Sequence, residues 1–262
     1  MLNILLIGCG NMGYPLIKQW MKHTEHSFTI ITPQNKQIDT SIISISLNEL
    51  DKHKKFDVII IAIKPQLINK VIPSYTNKIK QNGLIVSIAA GFTISKLSIY
   101  YPNIAIVRSM PNLTARINES ITAINGNKNI THKHIDIIEE LFNLVGKTIW
   151  LDKEDDIDKL TAVAGSGPGF MFHIFEAYID AVEKLGLDYT QSKEIVLSVI
   201  ISSAKLALNS QDTPTQLRQA VTSKNGTTEA GLKQLMHNNQ TAKSFESCIE
   251  SAYNRAKEIS NS

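Results

Sequence analysis

Gly8, Gly10 and Gly13 follow the apolar run Asn3 to Ile7 at the spacing Gly-x-Gly-x-x-Gly. Glycines placed this way serve one kind of chemistry, the approach of backbone amides to a pyrophosphate. Gly8 permits a tight turn, Gly10 lets the backbone come close to the phosphates, and Gly13 lets the next helix pack on the strand. Behind the turn, Leu16, Ile17, Trp20 and Met21 recur at helical spacing. The phosphates would then rest on free N–H groups of a helix N-terminus, beside Asn11 and Met12. The other reading is a plain strand-turn-helix with glycines for steric reasons only. The motif's place as first element of an alternating βα pattern favours the dinucleotide.

A second strand, about 20 residues further on, should end near the ribose of the adenosine half. A chain that selects NAD usually places Asp or Glu there. This one reads Thr32-Pro33-Gln34-Asn35-Lys36. A carboxylate would repel a 2′-phosphate, whereas Thr32, Gln34, Asn35 and Lys36 offer donors and one positive charge, so NADP is the expected partner. Lys36 is either a phosphate contact or a solvated surface lysine. Ala62-Ile63-Lys64-Pro65-Gln66 and Ala89-Ala90-Gly91 leave the carboxyl ends of later strands, the edge at which open parallel sheets bind ligands. Their small residues would let a flat nicotinamide or its ribose lie against backbone.

Further chemistry is confined to a few places. Ser223 to Thr228 is a loop running into a helix, and such a loop offers free amides and a positive dipole end to an anion. Thr227 and Thr228 could equally be helix caps. Gly165-Ser166-Gly167-Pro168 also ends in a helix start, which is compatible with a packing role and with Ser166 facing a pocket. His173 and Glu176 share a helix face, but a lone histidine among Phe170, Phe172 and Phe175 reads as structural. No histidine has acidic or thiol companions at metal-ligand spacing. A Gly-x-Ser-x-Gly elbow is missing from the sequence.

The elements that must position these residues divide at about Leu151 to Asp158. Before it, β-branched runs alternate with helical stretches, the pattern of a parallel sheet covered on both faces. The expected strands are Asn3 to Ile7, Phe28 to Ile31, Val58 to Ile63, Leu84 to Ile88 and Ile104 to Arg108. Ile42 to Ile45 is a further short candidate. Ile121 to Ile124 and Thr148 to Leu151 would extend the sheet beyond a helix from His134 to Leu144. Beyond Trp150 the pattern is helical: Pro168 to Leu185 closed by Gly186, a stretch to Leu208, one opened by Thr213-Pro214, then Thr227 to His237 and Thr241 to Ser260. The expected organisation is a dinucleotide-binding Rossmann-like domain over 1–155 and a helical domain over 156–262.

Composition narrows the class. The chain has 262 residues, 43% of them hydrophobic and 19% charged, as a folded globular protein would. Its net charge is +3 with the basic residues scattered, so no nucleic-acid partner is expected. Cys9 and Cys248 are the two cysteines, and the first lies inside the glycine turn; a reduced, cytoplasmic home is expected. The longest apolar run, Val58 to Ile63, is far short of the ~20 residues that span a bilayer. Met1-Leu2-Asn3 lacks a basic region, so no secretion signal and no membrane association are expected.

Six spaced blocks now coincide: Gly8 to Gly13, Lys64-Pro65-Gln66, Ser87-Ile88-Ala89-Ala90-Gly91, Met110-Pro111-Asn112, Gly165-Ser166-Gly167-Pro168 and Gly226-Thr227-Thr228. In this order the chain resembles the pyrroline-5-carboxylate reductases along nearly its whole length. The resemblance implies an N-terminal Rossmann-like domain and a C-terminal helical domain that interlocks with its copy in a homodimer or a larger assembly of dimers. It implies reduction of 1-pyrroline-5-carboxylate to L-proline with NADPH or NADH, the final step of proline biosynthesis. The cofactor would be held by Gly8, Gly10, Asn11, Met12, Thr32, Gln34, Asn35, Lys36, Ala62, Lys64, Pro65, Ala89, Ala90, Met110, Pro111 and Asn112. The substrate would be held by Ser166, Ser223, Gly226, Thr227 and Thr228, with the Thr228 hydroxyl on the ring nitrogen. A threonine hydroxyl is too weak an acid to be a true proton donor, so positioning or relay from water is its expected role.

Two departures from the family pattern stand out. Met-Pro-Asn-Thr-Pro-Ala becomes Met110-Pro111-Asn112-Leu113-Thr114-Ala115, and Ser-Pro-Gly-Gly-Thr-Thr becomes Ser223-Lys224-Asn225-Gly226-Thr227-Thr228. Asn225 replaces a glycine, and asparagine tolerates left-handed backbone angles better than most residues. The alternatives are a related β-hydroxyacid or imine dehydrogenase, which would need a catalytic lysine in a motif that neither Lys159 nor Lys184 occupies, and a non-catalytic NADP-binding paralogue.

Overall fold

The computed structural model describes residues 1–33, 36–38 and 42–261. Two compact units emerge: Met1–Pro168 together with Ser251–Ser262, and Gly169–Glu250.

The first unit is built on a seven-stranded sheet in the order β2-β1-β5-β6-β7-β8-β9. Its strands are β1 (Asn3–Ile7), β2 (Ser27–Ile31), β5 (Phe56–Ile61), β6 (Ile79–Ser87), β7 (Ala105–Met110), β8 (Ser120–Gly126) and β9 (Gly146–Trp150); a small pair, β3 (Lys36–Gln37) and β4 (Ile43–Ser44), follows β2. Neighbouring strands in the sheet are parallel except β7 and β8. The helices of this unit are α1 (Gly13–His23), α2 (Pro65–Val71), α3 (Ile94–Tyr100), α4 (His132–Asn143) and α5 (Asp155–Leu160), with a π turn over Thr161–Gly165.

Alternation along the strands explains why both faces are covered. Ile4, Leu6, Val58, Ile60, Leu84 and Val86 point into one cluster with Leu16, Trp20, Leu141 and Phe142. Leu5, Ile7, Ile59, Ile61 and Ile85 point into the other with Ile68, Tyr75, Leu97 and Tyr101. A period of two with apolar residues on both sides is what a sandwiched parallel strand requires. The buried Trp20 Nε1–H donates to the Leu141 carbonyl at 2.7 Å, locking α1 to α4.

Strand ends depart from the sequence expectation in instructive ways. β5 starts at Phe56, because the Asp57 carboxylate is held by the Asn3 amide and by Lys80. It stops at Ile61, where Ala62 and Ile63 turn out of the sheet although still apolar. β6 begins at the buried Ile79, but Lys80, Gln81 and Asn82 after it are exposed, so no apolar run marks its first half.

The second unit holds α7 (Tyr189–Asn209), α8 (Pro214–Ala220) and α9 (Thr227–Leu235), with most of α6 (Gly167–Glu183) and the first half of α10 (Gln240–Asn261). Thr213 caps α8 with Pro214 at its first position and Gln216 closing a capping box. Gly186, at φ +98°, terminates the α6 region, its N–H donating to the Glu183 carbonyl at 2.8 Å. Large apolar side chains stay on the surface here, among them Phe172, Leu206, Leu208, Val221 and Leu235. No described helix is long and apolar enough to cross a membrane.

Candidate functional site

β1 lies between β2 and β5, so the chain leaves it in one direction and later continues from β5 in the other. Ligands of open α/β sheets bind outside the strand ends at such a switch point, and the glycine turn sits there. Gly8 has φ +93°, and a Cβ on it would lie 2.6 Å from the Ala62 carbonyl oxygen. Its N–H donates to the Ile31 carbonyl and the Ala62 N–H to the Ile7 carbonyl, both at 2.8 Å, which joins the ends of β1, β2 and β5. A Cβ on Gly13 would stand 3.0 Å from the Gly8 carbonyl oxygen, whereas one on Gly10 would meet nothing within 4 Å. The cradle is closed behind and open in front.

α1 starts at this opening without a side-chain cap at Met12. The Tyr14 N–H donates to the Gly10 carbonyl at 3.0 Å and Pro15 has no N–H, so an anion here would be met by the amides of the turn that leads into α1. A groove of about 790 Å³ runs from Cys9, Gly10 and Asn11 along Tyr14 and Lys18 to Ile38 and Arg116. Among the described residues its lining holds two cations, Lys18 and Arg116, and no carboxylate. These residues fit a dinucleotide's phosphates.

Other expected cofactor residues cluster on the same edge. Lys64 precedes α2 and Pro65 opens it. Ala89 and Ala90 form a turn after β6, in which the Phe92 N–H faces the Ala89 carbonyl at 3.4 Å. Pro65, Gln66, Gly91, Phe92, Lys96 and Ile259 line a further cavity of about 450 Å³. Thr32 is buried, and its Oγ1 lies 2.7 Å from Ser44 Oγ. Lys36 lies in β3, while Gln34 and Asn35 fall outside the described residues.

The Met110-Pro111-Asn112 segment ends β7 and is held by its own polar groups. Asn112 Nδ2 donates to the Ala164 carbonyl at 2.9 Å, and its Oδ1 accepts from the Ile121 N–H at 3.2 Å. Thr114 Oγ1 lies 2.7 Å from Asn112 Oδ1 and 2.6 Å from the Glu119 carbonyl. The hydroxyl that stands where the family has proline thus pins the loop. Ser166 follows the π turn, its N–H donating to the Thr161 carbonyl at 2.9 Å, and a Cβ on the adjacent Gly165 would lie 3.7 Å from Met110 Cε.

In the second unit, Ser223 to Gly226 forms a turn closed by the Gly226 N–H on the Ser223 carbonyl at 3.1 Å. Asn225 adopts φ +60°, a left-handed angle that asparagine tolerates better than most residues and glycine accepts freely. Gly226 precedes α9 without a side-chain cap, so neither Thr227 nor Thr228 is the capping residue, and both are exposed. The Asn225 N–H donates to Glu229 Oε2 at 2.8 Å. His173 and Glu176 face each other at 3.6 Å on the open surface of α6.

Sequence reasoning overlooked Arg116 and Lys18. Arg116 is an isolated cation near Met110 in the chain, and only the packing of Leu113–Ile117 beside α1 brings it to the glycine turn. Lys18 could have been found, because it stands one turn after Tyr14 on the helix that the turn opens.

Sheet order, glycine turn and helical companion define a dinucleotide-dependent oxidoreductase of the Rossmann type. Residues 3–91 match a family model described as NADP oxidoreductase, coenzyme F420-dependent, and residues 154–259 match one described as pyrroline-5-carboxylate reductase dimerisation. A pyrroline-5-carboxylate reductase of Pseudomonas aeruginosa is 36% identical over 205 residues, covering 78% of this chain and 73% of that protein. One of Staphylococcus haemolyticus is 30% identical over 271 residues, 99% and 98% of the two chains. The crystal structure of Plasmodium falciparum pyrroline carboxylate reductase with NADP bound superposes with a TM-score of 0.88 at 27% identity, covering 99% of this chain and 98% of that one. The chain belongs to the pyrroline-5-carboxylate reductase family.

Proposed function

We propose that this chain reduces 1-pyrroline-5-carboxylate to L-proline with NADPH, closing proline biosynthesis in the cytoplasm as a homodimer or an assembly of dimers. The observation that carries the reading is the glycine turn, open at Gly10 and uncapped at α1, on the switch-point edge of a chain of this family.

The bound nicotinamide supplies the hydride. The rest falls to the protein. Gly8, Gly10, Asn11 and Met12 form the turn that takes the pyrophosphate at the α1 N-terminus, and Lys18 and Arg116 balance its charge. No carboxylate stands between Thr32 and Gln37, which suits a 2′-phosphate; Thr32, Gln34, Asn35 and Lys36 flank it. Ala62, Lys64, Pro65, Ala89 and Ala90 with Met110, Pro111 and Asn112 shape the nicotinamide end. Residues 1–155 form this cofactor domain.

Residues 156–262 form the helical domain that pairs with a second copy; the exposed apolar side chains of α6, α7 and α9 support that pairing. Its Ser223–Thr228 turn holds the substrate carboxylate on backbone amides at the α9 N-terminus, with Ser166 as a further contact. The Thr228 hydroxyl orients the ring nitrogen so that its carbon receives hydride, and relays a proton from water to that nitrogen.

The test is loss of NADPH absorbance on adding 1-pyrroline-5-carboxylate, repeated with NADH and with Thr228→Ala. Turnover with preference for NADPH is expected, together with a kcat lowered roughly 10²-fold in the variant and unchanged NADPH binding. Binding of NADPH with no imine reduction at any pH would replace the reading by that of a non-catalytic paralogue.

A further inference from the structure

The last turn of α10 and the loop after β6 meet backbone to backbone. A Cβ on Gly91 would fall on Ile259 Cγ2 and would lie 2.8 Å from the Ile259 carbonyl carbon. Gly91 also holds φ +72°, so this loop is shaped against the chain's own C-terminal helix at a place only glycine suits.

What fixes that helix end is a buried polar cluster. Ser260 Oγ donates to Asp158 Oδ1 at 3.0 Å and faces Arg108 Nη2 at 3.4 Å. The Ser260 carbonyl accepts from Lys96 Nζ at 2.9 Å. Arg108 Nη2 reaches Asp158 Oδ1 at 2.7 Å and Nη1 reaches Glu154 Oε1 at 3.2 Å. The same Glu154 oxygen accepts the Ile94 N–H at 2.8 Å, tying in the start of α3. One guanidinium therefore meets two carboxylates, and the Lys96 ammonium adds a second cation on the Ser260 carbonyl. Arg108 stands two residues before Met110 in β7, and Ile94 opens the helix that follows Gly91. Both segments assigned to the nicotinamide end are anchored to one cluster, and α10 joins it through Ser260.

We propose that Ile259 and Ser260 are positioning residues for cofactor binding: the C-terminal turn of α10 sets the backbone of the Ala89–Gly91 loop against which the nicotinamide end lies. This rests on the cofactor reading given above. Freeing the turn lets the loop sample more conformations, and the cost of ordering it moves into the binding step. A role in stability alone would lower the melting temperature and leave affinity untouched.

The experiment uses the full chain as wild type, Ser260→Ala and Ser260→Thr, with NADPH affinity read by fluorescence in the absence of substrate and amide hydrogen exchange read by mass spectrometry. Ser260→Ala should weaken NADPH about 5-fold, the scale of one lost hydrogen bond, with faster exchange over residues 89–93 while β1 and β5 stay protected. Ser260→Thr, which keeps the hydroxyl, should stay within about 2-fold of wild type. Should Ser260→Ala fail to fold, Ile259→Ala, which trims the Gly91 contact and keeps the hydrogen bonds, carries the same expectation. Unchanged affinity in a folded variant overturns the proposal and leaves the cofactor reading intact. Failure of the wild type to bind NADPH overturns both.

Discussion

Arg108 Nη2 and Asp158 Oδ1 meet at 2.7 Å with 2% and 8% of their side-chain surfaces exposed. The pair joins the strand that leads to Met110 to the helix that leads to Gly165. Removing one partner of a buried pair leaves a charge that water cannot reach. Glu154 still faces Arg108, so the loss is partial. Asp158→Ala should cost ~2–4 kcal/mol in urea unfolding, and Asp158→Asn, which keeps a hydrogen-bond acceptor, roughly half of that. Equal and small losses in both would show that Arg108 is satisfied without Asp158.

Tyr101 is 2% exposed, and among the described residues no group meets its hydroxyl. Burial, with Tyr75 adding to it, pushes the phenol above its ordinary value of 10.0. An unpaired buried hydroxyl costs stability, so Tyr101→Phe should be neutral or stabilising by up to ~1 kcal/mol. The sign of the pH effect follows from linkage. Below pH 10 the phenol is protonated in folded and unfolded chains alike; above it the unfolded chain ionises first, and stability falls. Tyr101→Phe should flatten that alkaline decline in thermal melts from pH 9 to 11. A steeper decline in the variant would contradict the assignment.

Arg116 lines the groove of the glycine turn together with Gly10, Asn11 and Lys18. Its place beside Gly10 and Asn11 points to the pyrophosphate, which NADPH and NADH share. Arg116→Ala should raise KM for both by about 5- to 10-fold, as loss of a charge-assisted contact does, with Arg116→Lys intermediate. A penalty confined to NADPH would move the guanidinium to the 2′-phosphate instead.

Local features were legible in the residues themselves. β1, the glycine turn, the Thr213-Pro214 cap and the Gly186 stop depend on neighbours within a few positions, and each stands where its residue types demand. The left-handed angle of Asn225 is of the same kind. The family blocks likewise carried the assignment of the chain, because they are spaced along one sequence.

Tertiary structure decided what depends on distant partners. The start of β6 at Ile79 is followed by the polar Lys80, Gln81 and Asn82 and so has no apolar run to announce it; pairing with Phe56 supplies it. The proline missing at Thr114 reads as a loss until its hydroxyl is seen against Asn112 and Glu119. Arg116 beside Gly10, and Ile259 against Gly91, bring together residues that no spacing rule connects. Propensity and capping act over one or two turns, whereas these contacts exist only once the sheet is assembled and the end of α10 has returned to the unit built on it.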